Sequence, residues 1–377
     1  MKLTKLFTEF FESEKAAGII LLFCTIISLI LSNSAWQNQF IQFWNLNLGS
    51  HSISHWINDG LMTIFFLLIG LELEREIYIG ELSTLKNASL PFFAALGGML
   101  VPAFIFLSIN FGLETQSGAG IPMATDIAFA LGILSLLGRS VPSSLKVILT
   151  ALAVIDDLGA ILLIAFFYTK SIDFTSLIIA GVLFGFLLIL NRFKVQNLLV
   201  YIITGIFMWY FMHKSGVHAT ITGVLLAFAL PFGDGGEKSS SYKVQHYLHT
   251  PVAFVILPLF AIANTNITFS SNFQNIIFQA NSVGIFFGLF LGKPIGIFLF
   301  SYVASKFKFC ELPSDLRWKH IFGVGFLGGV GFTMAIFITL LAYDTESLVM
   351  QSKISILFAS LLSGFVGYWW LRFSLTR

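Results

Sequence analysis

Charge is what this sequence has least of. Asp, Glu, Lys and Arg make up 11% of its 377 residues while 56% are hydrophobic; an ordinary soluble domain is about 25% charged. That deficit excludes a soluble enzyme and makes the lipid bilayer the chain's expected solvent. The net charge is only +2, which argues against a nucleic-acid partner. Cysteine is almost missing as well. Cys24 lies in an apolar run and Cys310 beside a basic loop, so neither a disulfide framework nor a cysteine metal site is expected. No small-residue cleavage site follows the first residues, and Glu9 and Glu12 interrupt them. A removed signal peptide is therefore not expected. Leu3, Leu6, Phe7, Phe10 and Phe11 instead form one stripe, predicting an interfacial helix over 1–15.

What the chain does have is apolar runs. They fall near residues 16–33, 60–79, 90–108, 119–137, 145–168, 176–191, 196–213, 216–231, 250–263, 281–304, 320–342 and 354–373. This predicts an all-α membrane protein of about twelve transmembrane helices in a single domain, each span needing roughly twenty residues. Of the 21 Lys and Arg, only Lys170, Lys214 and Lys353 fall on the side opposite the N-terminus, and Lys293 lies inside a span. The positive-inside rule then makes both termini cytoplasmic. Residues 45–58 form an external loop, and Gly49-Ser50 between alternating neighbours suggests a small hairpin there. Residues 232–249, starting Gly233-Asp-Gly-Gly-Glu-Lys-Ser-Ser-Ser, read as a flexible cytoplasmic loop.

Against that apolar background a few polar residues stand out. Asp156 and Asp157 are adjacent in the fifth run, where only Lys146 and Thr150 are otherwise polar between Leu145 and Tyr168. One charge at mid-membrane costs about 2.5–3.5 kcal/mol on insertion scales, so two side by side point to a function rather than to packing. Thr125 and Asp126 follow Pro122 in the fourth run, and Lys293 with Pro294 lies midway in the tenth. In the eleventh, Gly323, Gly325, Gly328, Gly329 and Gly331 precede Thr333. Proline and clustered glycine interrupt helices, and the freed backbone must then face protein or a water-filled cavity. Spans 4 and 11 are the middle members of spans 3–5 and 10–12. Two interrupted helices in corresponding positions predict inverted-topology repeats with a site at mid-membrane. Half-helix ends carry about half a unit charge, and Asp126 and Lys293 have the signs to offset them. Adjacent helix positions diverge by about 100°, so one aspartate can turn toward Lys293 while the other faces the cavity. A small hard cation such as sodium takes oxygen ligands, which carboxylates, the Thr125 hydroxyl and unwound carbonyls supply. A buried acid that holds either a proton or a cation, never both, exchanges one for the other.

Five segments carry a specific likeness: Ala124-Thr-Asp-Ile-Ala-Phe-Ala-Leu-Gly132, Val154-Ile-Asp-Asp-Leu-Gly159, Leu291-Gly-Lys-Pro294, Gly216-Val-His-Ala-Thr220 and Gly331-Phe-Thr-Met334. From about the first span to the last, and in the family's order, the chain resembles the NhaA family of sodium/proton antiporters. That family is itself a type example of the inverted-repeat rule, so agreement there is not independent. The resemblance implies electrogenic, pH-regulated export of Na+ or Li+ for H+ by alternating access, in a bacterial inner membrane, with no cofactor and as a homodimer joined by the external hairpin. It places the ion and proton site on Asp157, Asp156, Asp126 and Thr125, with Lys293 as the partner of Asp156. For the pH response it offers Glu72, Arg75, Glu76, His246 and His249, although a solvated helix end is the alternative reading. His218 joins them, against the plainer reading of a histidine bonded to a neighbouring helix. Glu74 stands where the family usually has lysine and Gln245 where it often has glutamate, both on the cytoplasmic face.

Two other functions would use similar parts. An intramembrane aspartyl protease needs two facing carboxylates that share a proton, which Asp126 and Asp157 could supply. It would leave Lys293 unexplained, and the only Gly-Asp pair, Gly233-Asp234, lies in a loop. An ion-coupled symporter would need a second polar cluster for its solute. Gly323-Val-Gly-Phe-Leu-Gly328 matches a dinucleotide-binding pattern but lacks the preceding strand that pattern requires.

Overall fold

A computed structural model describes residues 5–168, 172–269 and 276–376. Residues 1–4 of the expected interfacial helix lie outside them; from Lys5 one helix continues to Ser32 without a break. Among the described residues, eight helices are long and apolar enough to cross a bilayer, and two more spans are bent pairs. The pairs are Glu114–Met123 with Ile127–Leu136, bent by 41°, and Trp318–Gly328 with Phe332–Ala342, bent by 49°. These are spans four and eleven, the two interrupted helices expected. Leu198–Lys214 and Ile221–Ala229 are the seventh and eighth segments. The latter has nine residues, about 14 Å at 1.5 Å per residue, because Ser215 to Thr220 are spent on turns.

Two boundaries differ from the expected ones. Ser239 caps a helix whose amide at Tyr242 it accepts, so the expected loop over 232–249 ends there and Lys243, His246 and His249 are helical. Span twelve begins at Glu346. Lys353, read as an external loop residue, is therefore inside a span and only 7% exposed, its Nζ 3.5 Å from Asn266 Oδ1. The external segment does make a hairpin, Asn47–Leu48 against His51–Ser52. Gly49 has φ +73° at the first position of its two-residue turn, the place a type II′ turn reserves for glycine. Asp173, outside the membrane, caps the sixth span. The Ser176 hydroxyl and the amides of Thr175 and Ser176 hold its carboxyl below the usual range.

The chain folds as two compact units. The first takes residues up to 40, 84–160 and from 264 onward. Its core joins Leu131, Leu149, Val324 and Leu327. Within it, spans three and ten approach closely where Gly97 meets Gly296. A Cβ on either would lie 2.1 Å from the carbonyl oxygen of the other, so small residues alone permit this contact. Lys293, one turn before Gly296 on the same helix, is fully buried there. The second unit takes residues 41–83 and 161–263, with a core around Leu71, Ala180, Tyr201, Met208 and Ala227.

Candidate ion-binding site

Every residue expected at the ion site falls in the first unit, and the two broken spans bring most of them together. Span four is open over Ala124–Asp126 and span eleven over Gly329–Gly331. Pro122 has no amide to continue the first helix, and glycine is the weakest ordinary helix former. Broken backbone inside a membrane must find partners, and these breaks find them in each other. The Asp126 amide donates to the Val330 carbonyl at 2.7 Å, and the Thr125 hydroxyl reaches the Gly328 carbonyl at 2.9 Å. Ser360, from span twelve, accepts from the Phe332 amide.

Asp126 caps two helices at once. Its Oδ1 accepts from the Phe129 amide of its own half-helix at 3.0 Å. Its Oδ2 accepts from the Thr333 amide at 3.0 Å and from the Thr333 hydroxyl. Both half-helices present their positive N-terminal ends to this one carboxylate, the arrangement that stabilises an anion. Both Asp126 oxygens are thus given to helix termini, which removes the protease reading's shared proton. Thr333 and Ser360 were not expected at the site. A threonine just inside a helix start was a signal for the former; a lone serine in an apolar helix gave little for the latter.

Lys293 supplies the opposite charge. It is fully buried, and a π-helical turn over Gly288–Gly292 leads into it, accommodating Pro294, which has no amide for the ladder. Its Nζ donates to Asp156 Oδ2 at 2.6 Å and to Thr125 Oγ1 at 2.9 Å. The Thr125 hydroxyl has one proton to give and two acceptors within reach, Asp156 Oδ2 at 2.8 Å and Gly328 at the C-terminal end of its half-helix. Lys293, Thr125 and Asp156 therefore form a closed triangle, and Thr125 links it to the Gly328 carbonyl at the end of the broken helix. Asp157, about 100° further round the helix, is as buried as Asp156, each being 1% exposed.

The pH-response candidates lie in the second unit. The Arg75 guanidinium sits over the Tyr242 ring at 5.2 Å, and that ring stacks on His246 at 6.1 Å. Glu72, Glu76 and His249 are partly buried on the same two segments. The most buried acid there is Glu74, 3% exposed, which accepts from the Ser241 hydroxyl at 3.4 Å. His218 is half-buried with Nε2 3.2 Å from the Tyr168 carbonyl, the plainer of its two readings.

Comparison with known proteins supports the same conclusion. The family described as Na+/H+ antiporter 1 matches residues 8–371. The chain is 63% identical over 375 residues to the Na+/H+ antiporter NhaA of Flavobacterium psychrophilum, covering 100% of this chain and 98% of that one. To the Na+/H+ antiporter NhaA of Cytophaga hutchinsonii it is 56% identical over 375 residues, 100% of this chain and 97% of the other. The structure of the sodium proton antiporter MjNhaP1 from Methanocaldococcus jannaschii superposes with a TM-score of 0.56 at 13% identity, over 96% of this chain and 92% of that one; that likeness is one of fold. A family match and identities of this size over the full length are those of a transporter rather than an enzyme, and the chain belongs to the NhaA family of sodium/proton antiporters.

Proposed function

We propose that this protein exchanges Na+ for H+ across the membrane by alternating access, with Asp157 as the principal cation and proton site. The observation that carries the proposal is the crossing of the two broken spans. It sets Thr125, Asp126, Asp156 and Lys293 into one bonded group beside Asp157. Oxygen ligands suit Na+ or Li+, both hard cations. Asp126, committed to two helix ends, holds the crossing.

Two exchangeable protons stand at this site, those of Asp157 and Lys293. With Asp157 protonated and the Lys293–Asp156 pair intact, these three groups sum to zero charge, beside the Asp126 carboxylate held by two helix ends. A cation drawing on both carboxylates displaces the proton of Asp157 and the lysine's hold on Asp156. If Lys293 then releases its own proton, one Na+ replaces two H+. Such exchange moves one net charge inward per sodium expelled, a gain of about 2.3 kcal/mol per 100 mV. The inner membrane of a bacterium, cytoplasmic termini and a homodimer through the hairpin complete the proposal. The Arg75–Tyr242–His246 column, with Glu72, Glu76 and His249, sets its pH response.

The test is dequenching of a pH-sensitive dye in everted vesicles from cells lacking their own antiporters. Addition of Na+ or Li+ is expected to release protons, and Asp157→Asn to abolish that release while the protein remains inserted. Undiminished exchange by Asp157→Asn would refute the assignment.

A further inference from the structure

Away from the ion site, the second unit gathers three imidazoles that the exchange cycle does not use. His51 lies on the second strand of the hairpin, His55 in the turn that follows it, and His213 at the end of the seventh span. Their donor nitrogens all lie within 4.8 Å of one another, and all three residues are half-buried. The rings of His51 and His55 stack at 4.2 Å, and His213 sits 5.4 Å from each. We propose that His51, His55 and His213 form a binding site for a zinc-type divalent transition-metal ion that fastens the hairpin to the end of span seven.

The surroundings are built to hold these rings. Ser52 caps the turn by accepting from the His55 amide at 3.2 Å, which holds the turn in which the His55 ring stacks on that of His51. Trp209 stacks on His213 at 5.8 Å and on Trp56 at 6.1 Å. Trp209 is itself anchored by donating to Thr63 Oγ1 at 2.9 Å, and Trp56 by donating to the Leu48 carbonyl at 2.9 Å. His55 Nε2 is buried and makes no hydrogen bond, although Asp59 Oδ2 stands 3.3 Å away. That carboxylate is placed either to complete the ligand set or to orient His55, the two usual roles of an acid beside a metal-bound imidazole. Asp59 belongs to a π-helical turn, Trp56–Leu61, at the start of span two.

Chemistry selects the ion. Three imidazoles with an open fourth position suit zinc and its neighbours, whereas sodium and magnesium take oxygen. Zinc–nitrogen bonds of about 2.0–2.1 Å in tetrahedral geometry set ligand nitrogens about 3.4 Å apart, so the donors must close by about 1.5 Å or less. Side-chain rotation covers that distance. Three neutral imidazoles can share a metal but three protonated ones repel, so binding weakens as pH falls. In the orientation proposed above the ion arrives from the external side; binding itself does not depend on that orientation or on transport.

The experiment is calorimetric titration of Zn2+ into the purified full-length protein in detergent, with any polyhistidine tag removed. One Zn2+ per chain is expected, together with a rise in melting temperature. His55→Ala and His213→Ala are each expected to weaken binding at least tenfold and to remove the thermal shift, and His51→Gln provides a conservative third variant. No saturable binding overturns the proposal. So does binding of unchanged affinity in folded His55→Ala and His213→Ala, which places the ion elsewhere.

Discussion

Removing either half of the Lys293–Asp156 pair should be far worse than removing both. Both side chains are fully enclosed, so Asp156→Asn leaves a buried ammonium facing an amide, and Lys293→Met leaves a buried carboxylate held by Thr125 alone. Stranding one member of a buried pair costs about 3–5 kcal/mol, whereas replacing both by neutral groups of similar volume is often near neutral. The double variant should therefore lose about 1–2 kcal/mol, chiefly from imperfect packing. The resulting interaction energy, about 4 kcal/mol or more, exceeds the 0.5–3 kcal/mol usual for neighbouring residues. For a chain of this size, extrapolating the scaling for 150–250 residues gives about 1–2 °C per kcal/mol. Intrinsic tryptophan fluorescence during heating in detergent at pH 7 should show each single variant melting about 4–8 °C lower and the double about 1–3 °C lower. A double variant that falls by the sum of the singles would refute the reasoning, because the two charges would then act independently.

Two further outcomes follow from the packing. Asp126→Asn keeps one acceptor but brings an amide donor toward a helix N-terminus. With charged hydrogen bonds worth about 1.5–3 kcal/mol each, it should melt lower and exchange poorly, and wild-type melting would show that the double cap is not stabilising. Gly296→Ala forces a carbon against the Gly97 carbonyl and should destabilise by about 1–3 kcal/mol; an unchanged melting temperature would mean that spans three and ten are not in close contact.

The sequence by itself determined the environment, the spans and which residues are candidates for the ion site. Charge is so scarce that each buried exception is conspicuous, and a charge in hydrocarbon is costly enough to demand a reason. Asp126, Asp156, Asp157 and Lys293 were legible for that reason, and Pro122 with the glycines of span eleven marked the breaks. Periodicity also gave the order of the helices, though not their ends. Lys353 illustrates the limit: a lysine near a span's end reads as loop, and its burial depends on Asn266, far away in sequence. Only the tertiary structure decided who bonds to whom. Without the family resemblance, neighbouring aspartates are equivalent on paper, and the helix's rotation assigns Lys293 to Asp156 through Oδ2. The duty of Asp126 toward Thr333, across 207 positions, arises only because two broken backbones must satisfy each other. The burial of Glu74 and the meeting of His213 with a hairpin near the start of the chain have the same origin. Local pattern specifies which groups cannot face lipid, while packing between distant helices selects the partners that satisfy them.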